Sequence, residues 1–188
     1  MRCLVVAPGH SLTVEAAERC RGGYVIAVQD AYRRVPWADS VFGCDDAWWH
    51  YHKGAADFAG EKWSSHNIEM DDKRAVAARY GVQLVEGRDG VGFSLNRKWI
   101  HYGGCSGFAA VGLAIYFGYT EIELHGFDMH GSHFFGDHPA ELRTTDPERF
   151  IPAFNVAAKL LPAHIEIRNC TIGSALRCFP MAHFPKVR

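Results

Sequence analysis

The chain has almost no net charge, −1 over 188 residues. That balance excludes broad electrostatic attraction to nucleic acid or to an anionic membrane, although a local basic groove is compatible with it. No apolar run is long enough to span a bilayer. The short apolar core of Met1–Gly9 reads as a first strand and turn and not as a signal peptide. The six cysteines (Cys3, Cys20, Cys44, Cys105, Cys170, Cys178) include no C-x-x-C pair, which argues against a zinc ribbon and for reduced thiols in a cytoplasmic protein. There is no G-x-G-x-x-G and no Walker lysine. Internal repeats, low-complexity segments and linkers are also lacking, so residues 1–188 read as one domain.

What is present is ordinary for a globular protein: 48% hydrophobic and 22% charged residues, on a chain long enough for a sizeable core. Apolar runs at Cys3–Ala7, Tyr24–Val28 and Ser40–Cys44 each end in polar or turn residues. Thr13 is placed to cap a helix running through Arg19, and Ala47–His52 reads as helical and aromatic. The middle is less regular. It predicts strands near His66–Met70 and Val82–Glu86, a helix over Asp72–Tyr80 between them, and a break at Gly87–Gly92. A helix over Pro147–Leu161, a strand over His164–Arg168 and a short helix over Ser174–Phe179 complete the expectation. Strands alternating with helices predict an α/β fold: a single Rossmann-like domain, with a mostly parallel sheet and helices on both faces.

The most informative stretch runs from Gly103-Gly104-Cys105-Ser106-Gly107 through an alanine-rich helix to Gly118-Tyr119-Thr120-Glu121-Ile122-Glu123-Leu124-His125-Gly126-Phe127-Asp128. A glycine loop opening onto a helix N-terminus offers free N–H groups to an anion, and the helix dipole adds to the attraction. The small residues inside the helix are explained by close packing on a sheet; the leading glycine pair is explained less well that way. Downstream, His125, Asp128, His130, His133, Asp137 and His138 crowd one segment. Imidazoles and carboxylates there suit general acid–base work, with a carboxylate fixing the imidazole tautomer. The same residue types could ligate a metal, but the spacing is not that of a helical H-x-x-x-H zinc site. The turn Pro8-Gly9-His10-Ser11-Leu12 lets backbone approach a phosphate or ribose, or is a plain strand-to-helix turn. Asp45-Asp46 can grip a ribose or a magnesium ion, or cap the following helix. The Trp48-Trp49 pair reads by default as core.

The order of these motifs, ending in Ser132-His133-Phe134-Phe135-Gly136-Asp137-His138 and a late Asn169-Cys170-Thr171-Ile172-Gly173-Ser174-Ala175-Leu176, resembles the bacterial sialyltransferases of the Campylobacter type. It also resembles their wider relatives, motility-associated glycosyltransferases and an archaeal pterin pyrophosphokinase. The likeness is strongest from Ser106 to His138 and at the tail, and weak from Ala55 to Asn96. It implies a Rossmann-like sheet, a bacterial or phage source, and a nucleotide-sugar donor bound with no cofactor and no metal. Gly9 and Ser11 would lie under the nucleotide, and Gln29 and Asp45 stand where the family carries asparagines that contact it. Ser106 and Gly107 would meet the phosphate, and Ser174 would fall in a loop closing on the nucleotide. His138 matches the general base, with His133 as its neighbour and Asp128 or Asp137 to orient it. The first turn reads Ala-Pro-Gly-His where the family has Gly-Asn-Gly-Pro. Asp137 is an added residue before the base-type histidine, and Phe134-Phe135 replace a tyrosine pair.

The expectation is therefore a transferase taking a nucleotide-activated donor and a small-molecule or glycan acceptor, with homo-oligomerisation left open. The alternatives are a magnesium-dependent pyrophosphokinase or kinase, with Asp45, Asp46 or Asp128 on the metal, and a non-catalytic nucleotide-binding protein of the same fold.

Overall fold

Apolar strands β1 (Arg2–Val6) and β2 (Tyr24–Val28) are buried along almost their whole length, as strands covered on both faces must be. In the computed structural model, which describes residues 1–66 and 73–182, they form the middle of an eight-stranded sheet. The other strands are β3 (Ser40–Phe42), β4 (Glu61–His66), β5 (Gln83–Arg88), β6 (Trp99–His101), β7 (Glu121–His125) and β8 (Glu166–Asn169). Their order is β6-β5-β4-β3-β2-β1-β7-β8, and every neighbouring pair is parallel. Among the described residues, five helices connect them: α1 (Val14–Glu18), α2 (Asp46–Tyr51), α3 (Arg74–Tyr80), α4 (Ser106–Tyr116) and α5 (Ile151–Leu160).

Two separate apolar cores lie on opposite faces of the sheet. One holds the buried side chains of α4 and α5, including Phe108, Leu113 and Phe154; the other holds those of α1, α2 and α3, including Ala17, Trp48, Trp49 and Val76. Trp48 and Trp49 are core residues, as their default reading has it. The α/β class, the parallel sheet and the two helical faces thus stand as expected from the sequence.

The chain builds the sheet outward from β1 to β6, then returns through α4 to lay β7 on the other side of β1. The winding reverses between β1 and β7, and in open parallel sheets ligands bind outside the carboxyl ends of the strands at such a switch point. Two backbone contacts tie those ends together: Ala7 N–H donates to His125 O (2.8 Å) and Gly9 N–H to Gly126 O (3.0 Å). Gly9 cannot carry a side chain, because a Cβ there would lie 1.9 Å from Asp128 Oδ2 and 2.3 Å from Gly126 O. Its small size thus serves the approach of the two strand ends themselves.

Several local expectations need correction. No helix forms over Ser174–Phe179. The Asn169 side chain donates to Ser174 Oγ and to Leu176 O, and Leu176 N–H donates back to Ser174 Oγ, which holds the segment open. The expected break at Gly87 begins later, because β5 continues through Arg88. Strand β6 and most of β4 (Glu-Lys-Trp-Ser-Ser-His) were not anticipated; short length and buried serines hide them from any hydrophobic count. The strand expected at His66–Met70 lies outside the described residues beyond His66, which ends β4. The helix expected over Pro147–Leu161 is a 3-10 turn (Pro147–Phe150) leading into α5. Among the described residues, no helix is long and apolar enough to cross a membrane.

Candidate functional site

A cleft of about 470 Å³ opens at the carboxyl ends of the strands. Its walls come from the turn after β1 (Ala7–Gly9), the end of β2 (Val28, Gln29), the start of α2, the Gly104–Gly107 helix entry, and Gly126–His133 after β7. Asp137, His138 and Leu142–Thr145 complete it, with Pro147, Arg149 and Phe150 at one side. Ser106 and His138 therefore face the same cavity. Two of the wall residues, Gln29 (φ +46°) and Met129 (φ +56°), hold a left-handed backbone without being glycine. Such conformations persist only where the surroundings enforce them, and they gather at functional sites.

The glycine pair before α4 is required locally. Gly103 and Gly104 both have positive φ, and a Cβ on Gly103 would meet the Phe108 ring at 2.1 Å. Cys105 caps the helix: Phe108 N–H donates to its Sγ (3.4 Å) and Ala109 N–H to its carbonyl (3.1 Å). Burial pushes the Cys105 thiol up to about 12, against the pull of the Phe108 and Gly107 N–H groups. The neutral thiol therefore already uses part of this helix end, and an anion would share it with Cys105. Ser106 is buried and its Oγ accepts from Cys44 N–H (3.2 Å), leaving its own O–H to give.

The histidine loop is fixed by main-chain bonds. Phe134 N–H donates to Pro8 O (3.0 Å), Gly136 N–H to His133 O (3.0 Å), and Gly9 bridges His133. The His133 ring stacks on Phe135 (4.9 Å, 2°) and lies against His138 (4.6 Å), while Arg33 and Arg34 sit over Phe135 and Phe134. Burial lowers the pKa of both histidines. His138 adds to this for His133, and Asp30 opposes it at both. Both imidazoles are thus held in the neutral, basic form near neutral pH.

Asp30 was not singled out from the sequence. It is buried, accepts from Trp48 Nε1 (2.7 Å), and lies 3.4 Å from both His52 Nε2 and Arg33. Burial acts to raise its pKa, but His52 and Trp48 together outweigh that and hold it low. An acid at the end of an apolar strand is a common helix-start signal, and nothing in its spacing marks it as the charge behind the histidines.

Of the other residues named from the sequence, Gly9, Gln29, Asp45, Gly107, Asp128, His133 and Asp137 all line the cleft. Gln29 Nε2 donates to Asp45 Oδ2 (3.1 Å), so those two act as a pair; Asp45 stands at the N-cap of α2 and its carbonyl accepts from Trp49 N–H (3.3 Å), but its side chain makes no capping bond. Asp46 is paired with Lys73 (3.6 Å). Ser11 and Ser174 do not line the cleft. Ser11 donates to Asp128 Oδ2 through its Oγ (2.9 Å) and its N–H (3.3 Å). Ser174 donates to Phe127 O and accepts from Asn169 and Leu176. Asp128 therefore meets Ser11 and His10, and the carboxylates acting on His138 are Asp30, Asp45 and Asp137. Arg143 and Arg149, both exposed, also line the cleft and were missed, because lone arginines in an irregular loop carry no motif.

Among the described residues, two groups bring metal-ligand atoms within 4.8 Å of one another: His10, Asp128 and His130, and Glu123, His125 and Cys170.

Two solved transferases share this fold. One is the MAf glycosyltransferase from Magnetospirillum magneticum AMB-1, with a TM-score of 0.65 and 15% identity over 100% of this chain. The chain spans about a third, 34%, of that protein's length. The other is the sialyltransferase CstII from Campylobacter jejuni, solved with the substrate analogue CMP-3FNeuAc. It gives a TM-score of 0.57 and 14% identity over 96% of this chain and 85% of its own. No protein-family model and no curated protein matches the sequence.

Proposed function

We propose that this chain is a nucleotide-sugar-dependent transferase using a histidine general base. One observation carries the reading: the α4 entry and the His138 imidazole open into a single cleft at the β1/β7 switch point. Its fold likeness to two transferases, one of them bound to a CMP-sugar analogue, supports the donor class. A donor phosphate at Ser106–Gly107 receives the Ser106 O–H and the positive end of the helix, with Arg143 and Arg149 within the same walls. Gln29 and Asp45 serve the nucleoside. As the new C–O bond forms, the sugar–phosphate bond breaks and its electron pair leaves with the phosphate. Neutral His138 takes the proton of the acceptor hydroxyl. Preorganised donors around the departing phosphate stabilise the charge that develops there. Phe134 and Phe135 have no proton to give, so leaving-group stabilisation falls to the helix end and the arginines.

A thermal-shift panel of CMP, CDP, UDP, ATP and GTP, each with and without magnesium, tests this. Stabilisation by a cytidine or uridine nucleotide without magnesium is the expected result. Stabilisation confined to triphosphates with magnesium moves the chain to phosphoryl-transfer chemistry, and no stabilisation by any of them removes the donor site.

A further inference from the structure

We propose that His10, Asp128 and His130 bind a divalent transition-metal ion of the zinc type at the edge of the cleft, which Asp128 and His130 line. His10 follows β1; Asp128 and His130 follow β7. The bonds from Ala7 N–H to His125 O, at the end of β7, and from Gly9 N–H to Gly126 O, just after it, fix one loop against the other. His10 Nε2 stands 3.4 Å from Asp128 Oδ1, and one ligand atom from each of the three residues lies within 4.8 Å of the others. Two ligands bound tetrahedrally at roughly 2.0–2.2 Å stand roughly 3.3–3.6 Å apart, so the first pair is already at coordination distance.

Two of the three ligands are also supported from behind. Asp128 is 2% exposed; its Oδ2 is held by Ser11, while its Oδ1 is buried with no hydrogen-bond donor. A buried carboxylate oxygen without a donor is costly, and a cation there removes the cost. His130 Nε2 lies 3.2 Å from Gly173 O. A proton donated to that carbonyl leaves Nδ1 with its lone pair, the arrangement typical of metal-bound imidazoles. Met129 (φ +56°) and Gly131 (φ +66°) bracket His130 in left-handed backbone, which folds the loop back toward His10. Two imidazoles and one carboxylate suit zinc or its first-row neighbours, whereas magnesium prefers oxygen alone. Three protein ligands leave a position for water or for an oxygen of a cleft ligand. The Glu123, His125 and Cys170 group is a weaker candidate: Glu123 is already paired with Arg2, and burial holds the Cys170 thiol at about 12.

The test uses the full chain, stripped with a chelator and titrated without nucleotide. Zinc is followed by calorimetry and cobalt(II) by its visible absorption. One equivalent should bind, with the strong cobalt bands of a low-coordinate site. His10→Ala and His130→Ala should each weaken binding by 10-fold or more while keeping the metal-free Tm of the parent, and His164→Ala, an exposed histidine elsewhere, should change nothing. Asp128→Asn also loosens Ser11, so the two histidine variants decide the ligand assignment. No binding by the parent chain, or binding unchanged in a His10→Ala/His130→Ala double variant, overturns the site. Since no nucleotide enters the readout, this outcome is independent of the nucleotide panel above.

Discussion

His133 and His138 lie with ring centroids 4.6 Å apart, and the Nδ1 of each is buried without a hydrogen-bond partner. Two imidazoles this close resist double protonation, and burial adds to the resistance. Both therefore stay neutral below the ordinary histidine value. The acid limb of a kcat/KM pH profile should accordingly fall at a pH below about 6.5. Replacing Asp30 by Asn removes a carboxylate that favours the protonated forms, so that limb should move further down. An acid limb at or above pH 6.5 in the parent chain would contradict this assignment.

The same depression links pH to stability. Below about 6.5 the unfolded chain binds protons that the folded histidines refuse. The stability from keeping them neutral is present above that pH and is lost as pH falls toward their folded values. Tm should drop between pH 7 and 5, and a His133→Gln/His138→Gln double variant should flatten that part of the curve. An unchanged slope in the double variant would assign the acid sensitivity elsewhere.

His138→Ala should lower turnover by 100-fold or more while changing donor affinity by less than a few-fold, because general-base catalysis is worth roughly 10²–10⁴. Single-turnover rates and isothermal titration with the donor separate the two. A collapse of donor binding at unchanged rate per bound donor would give His138 a binding role.

Much of this was legible in the sequence. Buried parallel strands such as Tyr24–Val28 announce themselves as apolar runs ending in polar residues, and Thr13 caps α1 by accepting from Ala16 N–H. The glycine pair at 103–104, the α4 entry and the histidine loop were all visible as motifs, and Gly104–Gly107, His133 and His138 line the cleft. What escaped depends on tertiary context. Strand β6 is three residues long and borrows its order from β5. Ser64 and Ser65 are buried in β4 with no apolar signal, and Asp30 gains its meaning only when α2 brings Trp48 and His52 to it. Gly9 lines the cleft, and a second, steric reason for its lack of a side chain is visible only in the fold: Asp128 and Gly126 crowd the place a Cβ would take. Gly9→Ala should cost on the order of 2–3 kcal/mol, read as a Tm decrease of roughly 4–12 °C.

Ser174 offers the sharpest contrast between the role implied by resemblance and the surroundings seen here. Its side chain is fully buried, donates to Phe127 O, and accepts from Asn169 Nδ2 and Leu176 N–H. Those bonds pin the segment after β8 against the Phe127-Asp128 turn, beside Ala175 N–H donating to Asp128 O (2.7 Å). Removing the hydroxyl leaves several buried polar groups short of a partner, which costs about 1–3 kcal/mol. Ser174→Ala should therefore lower Tm while leaving donor affinity, measured well below the transition, within about twofold. A nucleotide-contacting serine would give the reverse pattern, with Tm kept and donor affinity lost. A ligand-induced swing of this loop into the cleft would first have to break the Asn169 and Phe127 contacts, so unchanged stability in Ser174→Ala is the result that would favour it.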